Sequence, residues 1–274
     1  MENDAIYSSD SCNTIIVTSC KGGVGKSTVT ANLAMALAKM NKRTLAVDCD
    51  FSNRSLDLIL GCEDSVIYDI NDVVLGRTSI ENAIIRDKRN ENLFMCAAPL
   101  FECDAFSPDD LSRVLDEAKE KFELDFILID TPGAAGDTLR LVSGLADSAL
   151  IIVSHQPTSA RAAERTGLLL DELGLKDQRL IINAFDADAV LSDKRVGISE
   201  LINKTRTQIL GIIPNEYELS LMQEYGKLSF DSKNKSIRRI ASAFDNIAVR
   251  LLGGNIPLLR KVYPHRRRKK LIVK

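Results

Sequence analysis

The sequence contains no Cys-x-x-Cys pair and no cluster of cysteine with histidine. Its six cysteines are scattered at positions 12, 20, 49, 62, 96 and 103, a pattern that indicates neither a zinc site nor a disulfide framework. Reduced thiols in a cytoplasm fit it best. The two histidines, His155 and His265, have no partner pattern that suggests catalysis. The first eleven residues are polar and acidic, without the basic start and apolar core of a secretory signal. Apolar runs such as 149–153 are strand-length, far below the ~20 residues that a membrane-spanning helix needs. No internal repeat or low-complexity linker divides the chain. Its 274 residues, 45% apolar and 27% charged, therefore predict one soluble domain.

What the sequence has is alternation. β-rich runs recur at 14–19, 43–48, 92–97, 126–130, 148–154, 179–183 and 208–214, with helical stretches between them. This predicts an α/β fold, a mainly parallel, doubly wound sheet flanked by helices. Most runs are continuously apolar, as strands buried on both faces are. Val29, Leu33, Ala36, Leu37 and Met40 recur at helical spacing, and so do Leu111, Val114, Leu115, Ala118 and Phe122. The second of these helices has a start signal: Ser107 as cap, Pro108 at the first position and Asp110 where a capping-box acid stands. A last helix is expected over roughly 237–252, stopped by Gly253-Gly254. The expected division is a polar extension at 1–12, a domain at 13–254 and a tail at 255–274.

The chemistry concentrates at residues 20–28. Cys20-Lys21-Gly22-Gly23-Val24-Gly25-Lys26-Ser27-Thr28 nearly meets the pattern Gly-x-x-x-x-Gly-Lys-[Ser/Thr], with Cys20 for the first glycine. It follows an apolar strand and opens a helix. Glycines let successive N–H groups point at phosphate oxygens, and the helix N-terminus adds partial positive charge. Lys26 is placed to reach the β- and γ-phosphates, the Ser27 hydroxyl to ligate Mg²⁺, and Thr28 to donate to the α-phosphate. The expected ligand is a nucleoside triphosphate with Mg²⁺, ATP above all.

Lys21 makes the loop more specific. Lys-Gly-Gly-Val-Gly-Lys-Ser-Thr resembles the deviant Walker A signature of the MinD/ParA family of dimerising ATPases. Stretches at 56–63, 66–69 and 87–93 resemble the MinD-type members, and the resemblance runs from about residue 13 to 252. It implies a P-loop NTPase fold and an ATP-dependent homodimer. In it, Lys21 contacts phosphate across the dimer and stabilises charge on the transferring phosphoryl group, an arginine-finger role supplied by lysine.

Asp48 and Asp50 end one predicted strand and Asp130 another, at the carboxyl edge where ligands of open α/β sheets bind. Turn-forming at strand ends is the alternative for each. The resemblance implies that Asp50 orients the attacking water, that Asp48 holds the Mg²⁺ shell and the neighbouring loop, and that Asp130, followed by Thr131-Pro132-Gly133, reaches Mg²⁺ through water. It also places Asn183, Pro214 and Asn215 in an adenine pocket, against the alternative of ordinary strand-to-loop chemistry. The chain departs from the family pattern at Cys20, Ser52, Ser55, Gly133-Ala134, His155-Gln156 and Ala162. Cys49, between two site carboxylates, reads as a small buried residue.

Charge is uneven. Net charge is −2, yet residues 256–274 hold eight Lys/Arg and no Asp/Glu, so this end is +8 and the remainder −10. Pro257 and Pro264 interrupt it, and basic and apolar blocks alternate. An anionic membrane surface, nucleic acid and plain solvation are all open to such a tail. The resemblance implies a cytoplasmic ATPase switch at the inner face of the cell membrane that regulates septum placement. Its expected partners are a division inhibitor of the MinC kind and an activator or positioning protein. A ParA-like or flagellum-placing positioner acting on nucleoid DNA or a scaffold is the alternative.

Overall fold

The structure is a computed structural model that describes residues 11–101, 106–134 and 136–259. Most of the polar extension, Cys103, His265 and the basic stretch from Arg260 onward lie outside the described residues. Eight strands form one sheet: β1 (Asn13–Thr18), β2 (Thr44–Asp48), β3 (Ile84–Arg86), β4 (Leu93–Cys96), β5 (Phe126–Asp130), β6 (Ser148–Val153), β7 (Gln178–Phe185) and β8 (Gln208–Pro214). Their spatial order is β3-β4-β2-β5-β1-β6-β7-β8. Only β3 on β4 is antiparallel among the described pairings.

All seven expected runs become strands. β3 is an addition at the sheet edge, and the sequence hides it for a physical reason. It follows the helix Ile80–Ala83 without an intervening turn residue and has three residues, with burial falling from Ile84 to an exposed Arg86.

Side chains alternate between two cores, one on each face of the sheet. Ile16, Ile127 and Ile129 face the layer holding the helices Pro108–Phe122 and Pro157–Glu172. Ile15, Val17 and Leu128 face the layer holding Lys26–Lys39 and Lys235–Leu251. Lys26–Lys39 is buried nearly all round, including Val29, Leu33 and Leu37, because it lies between the sheet and the last helix. Phe244 of the last helix is fully buried there, and truncating such a phenylalanine to alanine costs about 3–5 kcal/mol. The helix Pro108–Phe122 starts as expected: Ser107 Oγ accepts from the Asp110 N–H at 3.1 Å and donates to the Asp110 carboxylate at 2.6 Å.

Packing does not stop at Gly254. Arg250 Nη1 donates to the Ile256 carbonyl at 2.7 Å, Asn246 Nδ2 donates to the Leu258 carbonyl at 3.2 Å, and Leu258 and Leu259 pack against the two cores. Residues 255–259 thus lie along the last helix.

Candidate functional site

The loop after β1 lies where β1 has β5 on one side and β6 on the other. This is the point of strand-order reversal, outside the carboxyl ends of the strands. Gly25 precedes the helix Lys26–Lys39 in the left-handed region, with φ 88°. A Cβ there would lie 2.3 Å from Asn183 Nδ2, so both conformation and space require glycine. Around Gly22 and Gly23, by contrast, a Cβ would meet nothing within 4 Å, leaving the loop open to an anion. The first turn of the helix holds no acidic residue, so its partial positive charge is not offset there. Lys26 is buried at its first position.

Register brings the carboxylates together: Asp48 and Asp130 are direct partners across β2 and β5. Both are fully buried, but their surroundings differ. Asp48 Oδ1 accepts from the Asp50 N–H at 2.9 Å. Its Oδ2 accepts from the N–H groups of Ser55 at 3.1 Å and Leu56 at 3.0 Å. Asp48 therefore anchors the loop 49–55 and the start of the helix Leu56–Leu60. Burial pushes its carboxyl up to about 6, opposed by those three N–H groups.

Asp130 is less well matched. Its Oδ1 accepts from Thr30 Oγ1 at 3.2 Å, while Oδ2 has no partner among the described residues. Burial first, then the charge of Asp48, pushes its carboxyl up to about 7, with Ser27, Lys26 and Thr30 acting the other way. A buried carboxylate oxygen without a donor is costly, and a cation would satisfy it. Ser27 sits beside it, accepting from Ser55 Oγ at 3.2 Å. An oxygen-only donor set suits Mg²⁺, which keeps phosphate and water ligands rather than an all-protein cage. No group of three or more metal-binding side chains occurs among the described residues. Ser27 and Asp130 thus fit Mg²⁺, the Asp130 carboxylate through water, whereas Asp48 supports the loop around it.

Asp50 stands half-buried at the opening of that loop, its Oδ1 accepting from Ser52 Oγ at 3.0 Å and the Asn53 N–H at 3.2 Å. Gly133 comes so close to the phosphate loop that a Cβ would lie 2.8 Å from Gly22 Cα. That contact explains why glycine directly follows the proline here.

Lys21 is turned along its own chain. Its Nζ donates to Gln156 Oε1 at 2.7 Å and to Thr158 Oγ1 at 3.0 Å, at the start of the helix Pro157–Glu172. The Cys20 N–H donates to Thr166 Oγ1 of the same helix at 2.9 Å. His155 is buried against Phe185, with ring centroids 5.8 Å apart. Burial, then Arg195, lowers its pKa. Cys49 is fully buried and its thiol is raised well above the usual range by burial and by Asp48, so it is unreactive.

Asn183, Pro214 and Asn215 meet at the carboxyl ends of β7 and β8, where Pro214 pairs with Phe185 and the Asn215 N–H donates to the Phe185 carbonyl at 3.0 Å. Asn183 has a further task, since its Nδ2 donates to the Val24 carbonyl at 2.8 Å and so braces the phosphate loop. Thr28 Oγ1 donates to Gln223 Oε1 at 3.0 Å. Thr158, Thr166 and Gln223 reach the site from remote segments without a motif, and Thr30, on the helix that the loop opens, lies just past the loop's signature, so the sequence marks none of the four.

The CobQ/CobB/MinD/ParA nucleotide binding domain matches residues 15–230. The septum site-determining protein MinD of Bacillus subtilis is 34% identical over 248 residues, covering 89% of this chain and 90% of that protein. MinD of Synechocystis is 32% identical, covering 92% and 93%. Among solved structures, a MinC:MinD cell division protein complex from Aquifex aeolicus is similar with a TM-score of 0.83 and 33% identity, covering 91% of this chain and 99% of that one. MinD complexed with Mg-ADP from Pyrococcus horikoshii is similar with a TM-score of 0.76 and 27% identity, covering 88% and 96%. With loop, buried carboxylates and sheet order in agreement, this chain belongs to the CobQ/CobB/MinD/ParA nucleotide-binding family and, within it, to the MinD-type P-loop ATPases.

Proposed function

We propose that the chain is a Mg²⁺-dependent ATPase switch that pairs with a second copy when ATP is bound, associates with the inner membrane face and helps place the division septum. The observation that carries this reading is the position of two lysines on one loop. Lys26 is buried at the helix start, while Lys21 stands at the loop's rim with the neutral partners Gln156 and Thr158. A rim lysine without a carboxylate partner among the described residues is available to a phosphate brought up by another subunit.

In this reading the N–H groups of 22–28 and the Lys26 ammonium hold the β- and γ-phosphates, and Thr28 serves the α-phosphate. Mg²⁺, held by Ser27 and through water by Asp130, would neutralise charge developing between the β- and γ-phosphates. Asp50 orients a water for attack on the γ-phosphorus. The bond to ADP breaks, and inorganic phosphate carries the new oxygen. Lys21 of the second copy stabilises charge on the transferring group, a contribution worth about 10³–10⁵ in rate for the arginine version. Asn183, Pro214 and Asn215 border the base.

Each tail basic residue close to an anionic leaflet contributes about 1 kcal/mol, and a dimer presents two tails at high effective concentration. A MinC-like inhibitor is the expected partner, in keeping with the MinC:MinD complex among the similar structures, and an activator or positioning protein would time release. The test is co-sedimentation with anionic liposomes in ATP and in ADP. ATP-dependent pelleting supports the reading. ATP-dependent DNA binding that falls steeply with salt, without pelleting, would replace it by nucleoid positioning.

A further inference from the structure

Gln223 ends the short helix Tyr217–Gln223, which follows β8 and the proposed base pocket. It is 195 residues from the phosphate loop in sequence, yet its Oε1 accepts the Thr28 hydroxyl proton at 3.0 Å. The other half of the same amide, Nε2, is buried and has no partner among the described residues. A buried N–H₂ group with nothing to donate to is unfavourable. Its own carbonyl, meanwhile, holds the proton that the α-phosphate would need from Thr28.

Both features point to one exchange, in which the amide gives Thr28 its donor and leaves the less demanding carbonyl in the unpartnered place. Without nucleotide, the amide oxygen stands in for a phosphate oxygen as the acceptor of the Thr28 proton. With phosphate seated, a half-turn of the amide about its last side-chain bond brings Nε2 to Thr28. Nε2 then donates to Thr28 Oγ, and the Thr28 O–H donates to the phosphate. A glutamine can make this exchange because it carries donor and acceptor at nearly the same positions.

We infer that Gln223 is a nucleotide-positioning residue, one that sets the direction of the Thr28 hydroxyl and so strengthens binding at the α-phosphate. This rests on the reading of the loop as a nucleotide site. Gln223 acts through Thr28 and takes no part in attack on the γ-phosphate, so its removal should weaken nucleotide binding and raise KM while leaving kcat within about twofold.

The experiment is calorimetric titration of the full chain with Mg-ADP, combined with steady-state ATP turnover. Gln223→Met, near in shape but without amide hydrogen bonds, should raise the Kd for ADP about five- to tenfold. Gln223→Glu, which can only accept and is anionic, should raise it further. Thr28→Val should make the Gln223→Met change silent, whereas Thr28→Ser, which keeps the hydroxyl, should keep it. Thermal melting of each ligand-free variant checks the fold, and the Thr28→Ser comparison in the Gln223→Glu background replaces Gln223→Met should that variant not fold.

An unchanged Kd in Gln223→Met, additive losses with Thr28→Val, or a fall in kcat at constant KM would each overturn the inference. Failure of the underlying reading looks different. There, the unaltered chain would not bind Mg-ADP, or Lys26→Ala would bind it equally well.

Discussion

Lys21 Nζ is hydrogen-bonded to Gln156 Oε1 of its own chain at 2.7 Å. A lysine that is to reach phosphate in a second copy has to leave this contact and the one to Thr158. Under the proposed pairing, this resting arrangement would oppose assembly by the strength of two hydrogen bonds from a charged donor, reduced by their partial exposure.

Gln156→Ala combined with Thr158→Val removes that opposition. The expected result is a dimer that forms at an ATP or protein concentration about three- to tenfold lower, with monomer affinity for ADP unchanged. Light scattering across an ATP titration reads the shift. A weaker dimer would mean that Gln156 and Thr158 serve the assembled state instead.

Acid–base behaviour follows from the buried pair. Asp130 has its carboxyl pushed up to about 7 from an ordinary 3.8, so between those values the folded ligand-free chain holds a proton that the unfolded chain releases. Stability contributed by this group is full below about 4 and is lost as pH rises through about 7. The difference in unfolding free energy between the unaltered chain and Asp130→Asn should therefore decline over that window, by a few kcal/mol at most. Mg-ADP affinity should run the opposite way, rising towards pH 7, because a cation needs the carboxylate ionised. Denaturant unfolding and Mg²⁺ titration at a series of pH values test both slopes, and a flat difference would show that Asp130 is ionised throughout.

Much of this arrangement was legible beforehand, and the exceptions have physical causes. Continuous apolarity marked the buried strands β1, β5 and β6, whereas β3 has too few residues to show a period. Glycine spacing located the loop because phosphate binding constrains backbone, and backbone constraints are written in glycine. Side-chain partners from remote segments leave no such mark. Gln156 was visible only as a departure from the family pattern, and nothing in the spacing tied it to Lys21. Asn183 was expected at the base, yet its amide also holds the Val24 carbonyl, a contact that depends on how β7 lies beside β1 through β6. Asp48 and Asp130 look alike as strand-end residues; only three-dimensional hydrogen bonding shows that one is fully occupied by backbone and the other is not.

The tail is tested by where the chain is cut. Residues 255–259 are held by Asn246 and Arg250, so a stop after Leu259 spares the packed segment while one after Gly254 removes it. Deletion from Arg260 onward should leave ATP turnover within about twofold and thermal stability nearly unchanged. It should also abolish ATP-dependent pelleting with anionic liposomes, and pelleting of the full chain should weaken as salt rises. Pelleting that survives the deletion would place membrane contact elsewhere on the molecule.

Lys21 is proposed to act across a pair of copies. Light scattering of the unaltered chain and of Lys21→Ala, each with Mg-ATP and with Mg-ADP, tests it most directly. The unaltered chain should be a dimer in ATP only, and Lys21→Ala a monomer in both that still binds ADP and has lost at least about a thousandfold in turnover. A Lys21→Ala chain that dimerises and hydrolyses ATP like the unaltered one would contradict it.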